Sequence, residues 1–159
     1  MNIKCKISTL IPSIIIALTC IMFHLFSINE QCSLHSALHC KLFNIFSHSN
    51  IFHLIVNLIA LFQFRPRIKT CLIAYIVSVV VVFIPLAHMD MPTCGLSGFL
   101  MACYARRYYA WKLSVKWLLL SNLMLAFIPV FNWKVHLLCF IISYLTYGSL
   151  SYIRTHRRG

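Results

Sequence analysis

The chain has 159 residues, of which 61% are hydrophobic and 10% charged, with a formal net charge of +12. A soluble domain carries about 25% charged residues, so the composition points to lipid as the solvent and excludes a separate soluble domain. The cations punctuate apolar runs and form no stripe along one face, which excludes a nucleic-acid surface.

In chain order the apolar runs predict six spans, at about 8–27, 50–64, 70–87, 95–110, 115–131 and 134–152. Lys4 and Lys6 have the look of a secretory n-region, but no small-residue cleavage site follows, so the first run is read as retained. The expected fold class is an all-α polytopic membrane protein, one six-transmembrane-helix bundle over residues 1–159. Short spans are tolerated where their ends border a cavity.

Charge orients these spans. Lys4, Lys6, Arg65, Arg67, Lys69, Arg106, Arg107, Lys112, Lys116, Arg154, Arg157 and Arg158 fall at the termini or after the second and fourth runs; only Lys41 and Lys134 fall in the alternate loops. Excess Lys and Arg marks the cytoplasmic side, so both termini are expected there, with loops 28–49, 88–94 and 132–133 outside. The location expected is a plasma or bacterial inner membrane.

Polar groups within apolar runs are costly and face a bundle interior or a cavity. His53 and Asn57 stand four residues apart on one face of the second run, Ser97 opens the fourth, and His136 opens the sixth. All four are expected at similar depth near the outer surface. Taken singly, Ser97 reads as a small helix-contact residue, and Asn57 and His136 as interhelical hydrogen-bonding groups. Together they read as a site. A serine hydroxyl becomes a nucleophile when a histidine accepts its proton, and acyl transfer also needs donors facing the developing oxyanion. His53, Asn57 and the Ser97 backbone N–H supply such donors, and Gly95 and Gly98 allow a tight turn and close approach around the serine.

Three blocks resemble the rhomboid family of intramembrane serine proteases. They are F-x-H-x4-H-L-x-x-N at Phe46, His48, His53, Leu54 and Asn57; G-x-S-G at Gly95, Leu96, Ser97 and Gly98; and a histidine early in the last run, His136. Their order over nearly the whole chain is similar to the small six-span form. The resemblance implies a Ser97–His136 dyad without an acidic third member, an oxyanion hole from His53, Asn57 and the Ser97 N–H, and no cofactor. It implies as substrates single-span transmembrane proteins, cut near the outer face, with membrane lipid as the other partner and no oligomer required. Met101 stands where the family often has an aromatic residue against the catalytic imidazole. Cys139, Ser143 and Tyr147 stand where it usually has glycines, so the close packing of the fourth and sixth spans that glycines give is not assured by the sequence. The first outer loop is short and lacks the family's Trp-Arg signature.

Other readings compete. A non-catalytic rhomboid-like adaptor that binds client transmembrane helices is the main alternative, and a haem- or metal-binding membrane protein is another. Cys32, His35, His39 and Cys40 share one short segment, but no glutamate separates the histidines of "HSALH" as metalloprotease chemistry requires; an interfacial helix is expected there and no metal. An oxidising compartment would allow Cys32 and Cys40 to pair, and the sequence leaves disulfides among Cys32, Cys40 and Cys94 open. Asp90 is read as solvated and His48 as structural, bonding loop backbone.

Overall fold

The computed structural model describes residues 3–28, 31–88, 93–112 and 132–156, with positions 114, 116 and 120. Among them are six α-helices: α1 (Ile3–Leu25), α2 (Leu38–Phe43), α3 (Ile51–Phe64), α4 (Ile68–Val81), α5 (Ser97–Trp111) and α6 (Trp133–His156), with a 3-10 turn at Pro85–His88 between α4 and α5. The sole β-type pairing described is one antiparallel bridge between Cys32 and Thr93.

The six-span bundle expected from the apolar runs is corrected here. Among the described residues only one helix, over Trp133–Ile153, is long and apolar enough to cross a membrane. The runs at 50–64 and 70–87 form helices of 14 residues each, which rise about 21 Å against a hydrocarbon core of roughly 30 Å. The second of these stops at Val81 because the run turns into the Pro85 segment, where proline has no N–H to continue a helix. In α1 the apolar stretch over the described side chains is Leu10–Leu25. α5 has 15 residues and carries Arg106 and Arg107 within it. The run at 115–131 lies largely outside the described residues.

One core joins the helices. Leu54 and Leu61 of α3, Ala74, Val77 and Val81 of α4, Phe99, Ala102 and Cys103 of α5, and Val135 and Cys139 of α6 are buried in a common cluster. α5 and α6 lie close because the facing α5 positions are small. A side chain at Gly98 would meet Val135 Cγ1 at 3.1 Å and Cys139 Sγ at 3.2 Å. Ala102 and Ala105 continue that row and are fully buried, as is Ser143 on α6. Close packing, left open by Cys139, Ser143 and Tyr147 in place of glycines, is seen where Gly98 faces Cys139. Farther along, Tyr108 meets Phe140 edge-on at 5.6 Å, and Tyr109 meets Tyr144 at 5.5 Å.

The opposite helix faces stay apolar and uncovered. Ile11, Ile15 and Leu18 on α1, Phe52 and Val56 on α3, Leu72 and Ile76 on α4, and Leu145 on α6 are all exposed. Contiguous apolar surface of this kind marks a contact with lipid or with another protein.

Candidate active site

Three helices begin at one end of the fold, and local signals set where each begins. At α3 the Asn50 side chain accepts the His53 backbone N–H at 2.9 Å, an N-cap that places His53 in the first turn and Asn57 one turn deeper. At α6 Asn132 plays the same part: its Oδ1 accepts the Val135 N–H at 3.3 Å, and its Nδ2 donates to the Ala87 carbonyl at 2.8 Å. His136 is the next residue. At α5 there is no side-chain cap. The chain turns at Gly95, whose φ of +98° lies in the left-handed region that favours glycine, and Ser97 is the first helical residue. Its N–H therefore has no acceptor within the helix.

These starts bring Ser97 and His136 together. The distance from His136 Nε2 to Ser97 Oγ is 2.8 Å, with His136 buried and Ser97 half-buried. With a neutral ring accepting at Nε2, the serine O–H donates to it, the arrangement a general base needs. Asn57 is buried between Leu54 and Leu61 on the inward face of α3. Its side-chain amide nitrogen has no hydrogen-bond partner among the described residues. A buried donor without a partner costs about 1–3 kcal/mol.

The ring of His53 lies over Gly95. A Cβ at that glycine would sit 2.6 Å from His53 Cε1 and 3.0 Å from Nε2. His53 thus reaches the turn two residues before the serine, and its Nδ1 is 3.4 Å from Ser49 Oγ. Gly98 serves the α5–α6 contact already described. Met101 is half-buried against the core. Asp90 lies outside the described residues.

Sequence reasoning passed over the supports of this site. Asn44 accepts the Gly95 N–H at its backbone carbonyl, 2.8 Å, and Asn50 and Asn132 cap the two histidine-bearing helices. An Asn just ahead of an apolar run is itself a helix-start signal. Cys32 pairs with Thr93 through the backbone, and Cys32, Cys40 and Cys94 are free thiols. Among the described residues no three His, Cys, Asp or Glu side chains gather as a metal-ligand set.

Comparison of the chain with protein-family models, with curated proteins and with solved structures finds no significant match. The site geometry and the three motif blocks are thus the whole basis for a functional reading.

Proposed function

We propose that this chain is a serine endopeptidase of rhomboid type, embedded in a membrane, that hydrolyses peptide bonds in or near transmembrane helices of other proteins. The observation that carries the reading is the 2.8 Å contact between His136 Nε2 and Ser97 Oγ. The apolar helix faces and the membrane-length stretch of α6 support a lipid setting. The helix ends that bear Arg65, Arg106 and Arg107 point away from the site, which favours a site toward the extracytoplasmic side.

Each residue has a step in the reaction. Ser97 Oγ attacks the scissile carbonyl while His136 takes its proton. The carbonyl oxygen becomes an oxyanion and accepts hydrogen bonds from the Ser97 N–H, the Asn57 amide and His53. The intermediate collapses, the C–N bond breaks, and His136 returns the proton to the leaving amine, which leaves an acyl ester on Ser97. Water, deprotonated by His136, then attacks the ester and releases the second product with Ser97 restored. No metal or organic cofactor is needed for these steps.

A fluorophosphonate that traps nucleophilic serines tests this directly. The purified chain should be labelled, and both Ser97→Ala and His136→Ala should abolish labelling and the cleavage of tagged single-span membrane proteins. Labelling that survives Ser97→Ala would overturn the role of Ser97. A wild-type chain that neither labels nor cleaves, yet co-purifies with the same single-span proteins, would be an adaptor.

A further inference from the structure

The segment that leads into α5 is tied down at three successive points, all from the region between α1 and α3. Thr93 exchanges two backbone hydrogen bonds with Cys32, each 2.8 Å, and the Gly95 N–H donates to the Asn44 carbonyl. The Leu96 N–H donates to Nε2 of His48 at 3.4 Å. The first two ties are backbone to backbone, and no side-chain exchange removes them. The third runs to a ring nitrogen and holds the residue immediately before Ser97.

The partners of His48 define its tautomer. Nε2 faces an N–H donor and is therefore unprotonated, so the proton sits on Nδ1, which donates to the Phe46 carbonyl at 3.1 Å. A single neutral ring thus connects a carbonyl on one side to the serine segment on the other. From this connection we infer that His48 is a positioning residue for the Ser97 reaction, a neutral strut that sets Leu96 and with it the hydroxyl and N–H of Ser97 against His136 and Asn57. The inference rests on the endopeptidase reading given above.

The strut works in one protonation state only. A proton on Nε2 would set two donors against each other and break the tie to Leu96. The titratable neighbours are His53 on α3, whose ring stands edge-on at 5.1 Å, His24 near the end of α1, and Cys94 in the tied segment. A positive charge on His53 or His24 disfavours one on His48, and burial raises the pKa of the Cys94 thiol. His48 lies in the loop ahead of α3 and is 6% exposed. Burial, and then the neighbouring His53, pushes it down to about 4, so the strut is intact at neutral pH and yields in acid.

His48→Gln and His48→Phe separate the acceptor from the bulk, because glutamine keeps an acceptor near Nε2 and cannot take a proton, whereas phenylalanine keeps only the ring. On the full chain in detergent micelles, the fluorophosphonate rate of His48→Phe should fall by about tenfold or more, and His48→Gln should return to within about threefold of wild type. Amide exchange at Leu96, measured as a protection factor, should be strong near pH 7 and weaken near pH 4 in wild type. It should be weak at both in His48→Phe and independent of pH in His48→Gln. A folded His48→Phe that labels at the wild-type rate overturns the inference, as does a folded His48→Gln that labels at less than about a tenth of it. The exchange arm is repeated in Ser97→Ala. Loss of wild-type labelling with Leu96 protection intact sinks the endopeptidase reading but leaves the strut standing. Labelling with no pH-dependent protection sinks the strut alone.

Discussion

The imidazole of His53 fills the space that a side chain at Gly95 would occupy, with Cε1 only 2.6 Å from the position of a Cβ there. The turn before Ser97 and the first turn of α3 are therefore built as one unit. Gly95→Ala meets two obstacles, the ring and a φ of +98°, and is expected to destabilise the fold by about 1–3 kcal/mol. His53→Ala in the same chain removes the ring but not the backbone strain. The double variant should recover part of the loss, and a denaturation series on the four proteins of that cycle measures the coupling. Strict additivity would show that the two residues do not act together.

Asn57 offers the opposite separation of function from stability. Its amide nitrogen is buried and unpartnered among the described residues, so Asn57→Leu relieves a desolvated donor and should leave stability unchanged or raise it. Acylation should nonetheless slow by about 100- to 1,000-fold, the usual effect of losing one oxyanion donor. Labelling kinetics beside an unfolding curve check both halves. A variant that labels normally removes Asn57 from the oxyanion hole.

Stability should also fall on the acid side because of His48. The folded state holds this ring neutral with its pKa near 4, against an ordinary 6.5. As pH drops from 6.5 the unfolded chain binds the proton first, so stability is full above 6.5 and is lost progressively as pH falls through about 4. The loss amounts to roughly 3 kcal/mol at most. Unfolding midpoints of wild type and His48→Gln near pH 7.5 and 5 provide the measurement. The wild type should lose more between the two conditions, and an equal loss would count against a buried neutral His48.

Much of the candidate site was legible because polar residues stand out in an apolar chain. His53, Asn57, Ser97 and His136 are each isolated among hydrophobic neighbours near the start of an apolar run, and helices that start together bring their first turns together. Span number was not legible in the same way. An apolar run measures composition, whereas crossing a bilayer depends on unbroken helical length. Pro85 follows the early end of α4 without ending the apolar run, and the arginines within α5 interrupt its apolar character without ending the helix.

The α5–α6 contact teaches a related lesson. Cys139, Ser143 and Tyr147 in place of glycines leave close packing of the two helices open, and Gly98 on the facing helix makes room for Cys139. Closeness depends on the summed size of both partners, and a sequence presents only one helix at a time.

From the sequence by itself came the apolar character of the chain, the candidate nucleophile and base, and the turn at Gly95, because residue chemistry and local backbone preference are properties of short segments. The tertiary structure alone decided which of the described helices reach membrane length, that His48 reaches the amide before Ser97 across 48 residues, and that the Asn57 amide nitrogen has no partner among the described residues. Those facts depend on which surfaces meet, and hydrogen bonds acquire their partners only when the chain has packed.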